Sequence, residues 1–221
     1  LARGCWSELE RFDAADGWSS RPAEGGSFDV LWRGAPVGRV DWDLTGDHNR
    51  ANALAAIAAA RHVGVAPELA IAALNCFGGV KRRMEVRGVV RGVTVYDDFA
   101  HHPTAIRTTL GGLRRAVGTA RILAVLEPRS NTMKLGVMKA ALPDSLAGAE
   151  RVFCYTGSLD WDAPAALAPL GSRAECHADL ETLVQAIARD ARSGDHVLVM
   201  SNGGFGGIHQ KLLDRLAAAD R

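Results

Sequence analysis

Apolar positions follow two kinds of pattern along the chain, and the change comes before its middle. From residue 94 onward, short apolar runs alternate with helical segments, over 94–97, 104–117, 121–126, 137–146, 151–155, 180–192, 196–200 and 208–218. Such alternation predicts an α/β domain with a mainly parallel sheet flanked by helices. Ahead of it, 28–32 and 37–42 are β-rich runs separated by Arg33, Gly34, Ala35 and Pro36, which suits a hairpin. The segment 48–62, HNRANALAAIAAARH, has high helix propensity with Gly64 as a stop, and Pro67 opens a second helix to about Cys76. The first 27 residues carry Gly, Ser, Pro and Trp without a sustained period, so they predict loop with one short helix over 7–12. Gly78, Gly79, Gly88 and Gly92, with basic residues between them, separate the two patterns. The expected boundary lies within 86–91, giving domains 1–87 and 88–221.

Composition narrows the function classes. A net charge of +1 over 221 residues gives no electrostatic footprint for nucleic acid or an anionic membrane. No apolar run approaches the roughly 20 residues that span a bilayer, and no leader opens the chain, so a cytoplasmic protein is expected. Cys5, Cys76, Cys154 and Cys176 are scattered without a CxxC pair, which indicates neither a zinc site nor a disulfide framework. Leu1 stands where an initiator methionine would, which suggests a fragment of a larger gene product.

Candidate chemistry gathers in five clusters. Gly46-Asp47-His48-Asn49-Arg50-Ala51-Asn52 opens a helix, and His48, Asn49 and Asn52 fall on one side of it, where two amides can meet a heterocycle such as adenine. The alternative is a helix cap with exposed polar residues. Val80-Lys81-Arg82-Arg83-Met84 could reach a polyphosphate, although a solvated basic face is the commoner explanation of such a run. Tyr96-Asp97-Asp98-Phe99-Ala100-His101-His102-Pro103 follows a strand and precedes a helix, and two acids with two histidines there can bind a divalent metal, orient a nucleotide or act as acid and base. Its spacing differs from the HExxH of zinc hydrolases. Glu127-Pro128-Arg129-Ser130-Asn131-Thr132-Met133-Lys134 offers Arg129 and Lys134 to carboxylates. Ser201-Asn202-Gly203-Gly204-Phe205-Gly206-Gly207 permits close approach of backbone to a ligand, and it is not the GxGxxG of dinucleotide folds. Ligands of parallel sheets gather at strand C-termini, where the last three clusters fall.

Taken in order, GDHNRANALAA, VKRR and VYDDFAHHPTAI resemble the Mur ligase family, whose members join amino acids or peptides to UDP-N-acetylmuramic acid. More narrowly, GCWSELERF, EPRSNTMKLG and SNGGFGGIHQKLL resemble members that take the tripeptide L-Ala-γ-D-Glu-meso-diaminopimelate in peptidoglycan recycling. Members that take free L-alanine share the HN and DDYGHHP-like motifs but differ at EPRSNTMK and SNGGFGG. The resemblance implies a Rossmann-like C-terminal Mur ligase domain preceded by the tail of the central ATPase domain. It also implies ATP and Mg2+, with the magnesium ligands, the catalytic lysine and the glycine-rich phosphate loop upstream, since no GxxxxGKS/T occurs here. No metal ligand or catalytic residue is therefore expected within the chain, and the chain alone is expected not to turn over.

Carried over position by position, His48, Asn49 and Asn52 would meet the nucleotide base. Arg83 would meet the phosphates and Asp98 the ribose side. His101, His102, Arg129, Ser130, Asn131, Lys134, Ser201 and Asn202 would lie on the peptide side. The implied substrates are UDP-N-acetylmuramate and the tripeptide, joined through an acyl phosphate. The alternatives are a ligase for L-alanine and a nucleotide-binding module without ligase activity.

Overall fold

The computed structural model describes residues 4–6, 9–42, 44 and 46–218. The chain divides into two compact units, Leu1–Gly79 and Val80–Arg221.

In the first unit, β1 (Trp18–Pro22), β2 (Phe28–Trp32) and β3 (Ala35–Val40) form an antiparallel meander. The expected hairpin is β2–β3, with a tighter turn than expected: Arg33 and Gly34 take φ of 50° and 80°, as a two-residue connection between twisted strands requires. Pro36 therefore enters β3, which lies at the edge of the sheet, where a missing N–H is tolerated. The expected loop over the first 27 residues is interrupted by β1, whose Trp18 is fully buried and packs on Trp32 at 4.7 Å. Of the helix expected over 7–12, Ser7 and Glu8 lie outside the described residues. Residues 9–12 are not helical; Phe12 bridges to Trp18, and Glu10 accepts from the Trp18 indole N–H at 3.1 Å.

Both expected helices form, α1 (Asp47–His62) and α2 (Pro67–Asn75). They bring Ala53, Leu54, Ile57 and Ile71 onto Trp18, Phe28, Val30 and Val40. Gly38 admits that packing, since a Cβ there would lie 2.9 Å from Ile71 Cδ1.

The second unit holds β4 (Glu85–Val90), β5 (Val93–Asp98), α3 (Pro103–Val117), β6 (Ile122–Leu126), α4 (Asn131–Lys134), α5 (Leu142–Leu146), β7 (Arg151–Tyr155), α6 (Ala163–Leu167), β8 (Ala174–His177), α7 (Leu180–Asp190), β9 (His196–Met200) and α8 (Ile208–Ala218). The sheet order is β4-β5-β9-β6-β7-β8; β4 runs antiparallel to β5 and all other pairs are parallel. The division at 87/88 expected from the glycines would cut β4, which instead pairs along β5 and belongs to the second unit. The helix expected over 137–146 is broken into a 3-10 turn, Lys139–Ala141, and α5, which carries Pro143 in its first turn. Proline has no N–H to continue a helix from the preceding turn, so a new one starts there.

Side chains alternate across the sheet. Ile122, Ala124, Leu126, Val152, Cys154, Leu198 and Met200 pack with α3, α5 and α6 on one face. Leu123, Val125, Phe153, Val197 and Val199 pack with α7 and α8 on the other. Burial on both faces explains why these strands read as continuous apolar runs.

Candidate functional site

Strand β9 lies between β5 and β6, and Met200 at its end is in register with Asp98 on one side and Leu126 on the other. The chain leaves β5 for the face carrying α3 and leaves β9 for the face carrying α8. Connections that part in this way open a crevice at the strand C-termini. The three polar clusters that follow these strands are thereby brought side by side. Two backbone bonds prolong the ladder beyond the strands, Ser201 N–H to Asp98 O at 3.1 Å and Glu127 N–H to Met200 O at 3.0 Å.

Arg82 fastens this arrangement. With φ at 61°, its guanidinium donates to both Asp97 oxygens at 3.3 and 3.2 Å and to the carbonyls of Ser201 and Gly203 at 2.6 and 2.7 Å. Its own carbonyl accepts from Phe99 N–H at 2.8 Å. Arg83 faces outward instead, and its guanidinium lies over the Phe99 ring at 5.6 Å. The two arginines thus differ in kind: Arg82 holds loops together, and Arg83 is the cation presented to solvent.

Asp98 is buried at 2% exposure. Its carboxylate accepts from Met84 N–H at 2.9 Å, Ala100 N–H at 2.8 Å and the Thr109 hydroxyl at 3.3 Å. Burial raises its pKa above the ordinary carboxylate value, against the opposing pull of those donors and the Arg83 charge. Its oxygens turn into the chain and hold the turn that presents Phe99 and His101. Ser201 is fully buried, and its hydroxyl donates to the Glu127 carboxylate and accepts from Gly203 N–H at 2.9 Å, which shapes the loop.

The remaining expected residues line the crevice more openly. His101 is partly exposed, stands edge-on to Phe99 with centroids 5.4 Å apart, and places Nδ1 2.9 Å from the Phe99 carbonyl. His102 caps α3, its Nδ1 accepting from Thr104 N–H at 3.4 Å. Arg129 is exposed and lies against Gly203, where a Cβ would come within 1.7 Å of its guanidinium nitrogen. Ser130 caps α4 by accepting from Met133 N–H at 3.4 Å, Asn131 is exposed and Lys134 partly exposed. Asn202 Oδ1 is buried and has no hydrogen-bond partner among the described residues.

Sequence reasoning singled out neither Phe99 nor His209. Phe99 carries the two guanidinium groups and His101 around one exposed ring. His209, on α8, brings Nε2 to 3.3 Å from Asp97 Oδ1 without hydrogen-bond geometry, and burial lowers its pKa despite that carboxylate. Only the chain reversal at the glycine-rich loop brings it there, so spacing carried no signal.

In the first unit, α1 begins at Gly46, which supplies no side-chain cap. His48 and Asn49 lie partly exposed on its first turn and Asn52 exposed on the next. Asp47 pairs with Arg50 at 2.8 Å. Among the described residues no group of three or more His, Cys, Asp or Glu side chains converges as a metal site, and no helix is long and apolar enough to cross a membrane.

Comparison with known proteins adds a family. The model of the Mur ligase, glutamate ligase domain matches residues 82–203, just over half of the chain. The UDP-N-acetylmuramate–L-alanyl-gamma-D-glutamyl-meso-2,6-diaminoheptandioate ligase of Escherichia coli (strain K12) is 52% identical over 98% of this chain and 48% of its own length. A solved murein peptide ligase from Psychrobacter arcticus 273-4 is 38% identical, with a TM-score of 0.78 over 100% of this chain and 49% of its own. The UDP-N-acetylmuramate–L-alanine ligase of Myxococcus xanthus (strain DK1622) is 34% identical over 91% of this chain and 43% of its own length. The chain thus spans about half the length of the relatives it matches.

Proposed function

The chain belongs to the Mur ligase family, and from that premise we propose that it is part of an ATP-dependent ligase joining L-Ala-γ-D-Glu-meso-diaminopimelate to UDP-N-acetylmuramate in cytoplasmic peptidoglycan recycling. The tripeptide reading draws on the 52% identity to a ligase named for that peptide, against 34% to one named for L-alanine. A feature of the crevice supports the same choice. Arg129 lies against Gly203 in the loop that holds the buried, unpartnered Asn202 Oδ1, and Lys134, on α4 just beyond Arg129, is a second, partly exposed cation. A γ-linked glutamate and diaminopimelate bring several carboxylates and a second amine to such a surface, whereas L-alanine brings one carboxylate. His101, His102 and Asn131 complete this peptide surface in our reading, with Ser130 and Ser201 fixing its loops from within.

In the first unit we assign His48, Asn49 and Asn52 to the nucleotide base, for which the two amides supply both donors and acceptors. In the second, Arg83 suits the phosphates, because its guanidinium is exposed and makes no ion pair among the described residues. ATP would supply the γ-phosphoryl group that activates the muramic carboxylate as an acyl phosphate, leaving ADP, and the peptide amine would then attack the acyl carbon and expel phosphate as the amide forms. The part of this chain's residues is to bind and orient: the cations offset developing charge, and the Arg82–Asp97 and Ser201–Glu127 bonds keep the loops in place. No magnesium site is assigned to these residues.

Calorimetric titration of the chain with the tripeptide, using L-alanine and NAD as controls, tests the peptide surface. Selective tripeptide binding is expected; equal or tighter binding of L-alanine would reject the assignment of Arg129 and Lys134.

A further inference from the structure

Cys154 and Cys176 are far apart in sequence, yet they are register partners on the parallel strands β7 and β8. Both side chains point to the same face of the sheet and pack against the same core. Residues paired in this way have Cα atoms about 4.8 Å apart, the spacing of neighbouring strands, which falls inside the roughly 4.4–6.8 Å that a disulfide spans. The two thiols differ in access. Cys154 is fully buried, while Cys176, on the edge strand β8, is partly exposed. Cys5 and Cys76, the other two cysteines, are exposed and lie in the first unit.

We propose that Cys154 and Cys176 form a dithiol modification site for low-molecular-weight disulfides, with Cys176 reacting first and Cys154 closing an intrachain bond between β7 and β8. The Cys176 thiolate attacks one sulfur of RSSR and expels RS−, giving a Cys176–S–S–R mixed disulfide. Cys154 then gives up its proton and attacks the Cys176 sulfur, expelling the second RS−. The two thiol protons end on two RSH, so one small disulfide is reduced as one protein disulfide forms.

The electrostatics agree with this order. The neighbouring Cys154 thiol lowers the Cys176 pKa and favours its thiolate, with burial and the Asp162 charge opposing it. The neighbouring Cys176 and burial push Cys154 up, which favours its protonated form until the mixed disulfide is beside it. A thiolate that is both accessible and paired with a second thiol is the arrangement that small disulfides modify selectively. The inference is independent of the ligase reading, since it concerns the far side of the sheet from β5.

Glutathione disulfide is the probe. A Cys5→Ser/Cys76→Ser form of the chain, treated under native conditions and then alkylated, should lose both remaining thiols. Peptide mapping should find the tryptic peptides 152–173 and 174–189 joined. With Cys154→Ala added, reaction should stop at a glutathione adduct on Cys176; with Cys176→Ala added, Cys154 should stay unmodified until the chain is denatured. Retention of both thiols, a stable adduct on Cys176 with no cross-link, or a cross-link that forms only in urea would each overturn the proposal. The cross-link itself is read on native cysteines, so it does not depend on the folding of the alanine variants.

Discussion

Replacing Arg82 and Arg83 separately by alanine should give opposite results, although the two are adjacent in sequence. Arg82→Ala removes the cation that bridges Asp97 to the Ser201 and Gly203 carbonyls and leaves a carboxylate with 7% of its side chain exposed. Deleting one partner of a buried pair costs about 3–5 kcal/mol. The Arg82 side chain is itself 27% exposed, so water reaches the gap. That access reduces the expected loss to about 2–4 kcal/mol. In urea, at roughly 2 kcal/mol/M for a unit of this size, the unfolding midpoint of the second unit should fall by roughly 1–2 M.

Arg83→Ala removes only a cation–π contact with Phe99, about 0.5–1 kcal/mol at an exposed site, so its midpoint should move by less than roughly 0.5 M. On the complete gene product the consequences reverse: Arg83→Ala should leave a folded protein whose ATP-dependent rate is at least tenfold lower, about 1.4 kcal/mol of transition-state stabilisation. Circular dichroism and tryptophan fluorescence through the urea transition supply the first comparison and steady-state kinetics the second. Equal midpoint shifts for the two variants would refute the distinction between a fastening and a presented arginine.

Gly203→Ala should displace the Arg129 guanidinium, 1.7 Å from the added Cβ, at a stability cost under about 1 kcal/mol because the far end of that side chain can move. Tripeptide affinity by calorimetry should nevertheless fall about tenfold, and unchanged affinity would remove Arg129 from the peptide surface. His209 gives a pH signature. Burial holds its folded pKa below the ordinary 6.5, so the unfolded chain takes up the proton first as pH falls. Stability is full above that value and should decline as pH drops from it toward the lowered folded pKa. His209→Gln should flatten this slope in urea titrations between those limits, and an unchanged slope would assign it to another group.

Where hydrophobic period and local chemistry agreed, the sequence was enough. Asp47–His62 is helical because an Ala-rich segment favours that state, and β6 and residues 197–200 of β9 read as strands because burial on both faces makes them uniformly apolar. Elements made by tertiary pairing were not legible. WSSRP becomes β1 only by lying along β2, and AECH becomes β8 only by adding to β7. The domain boundary failed for the same reason, since Gly88 looked like linker until β4 paired with β5; a Cβ there would lie 3.0 Å from Leu213.

At the candidate site, the sequence marked the polar loops that the fold brings together but could not tell which polar groups face inward. Asp98 and Ser201 are as polar as Arg83 and Asn131, yet their bonds to Met84, Ala100 and Glu127 exist only once three strand ends stand side by side. Those partners come from different segments, and spacing along the chain does not encode them.

Substrate choice by the complete gene product tests the central claim most directly. With UDP-N-acetylmuramate, ATP and magnesium, kcat/KM should be at least roughly 100-fold higher for L-Ala-γ-D-Glu-meso-diaminopimelate than for L-alanine, about 2.7 kcal/mol of discrimination. A preference for L-alanine, or no ATP-dependent product with either amine, would contradict the account.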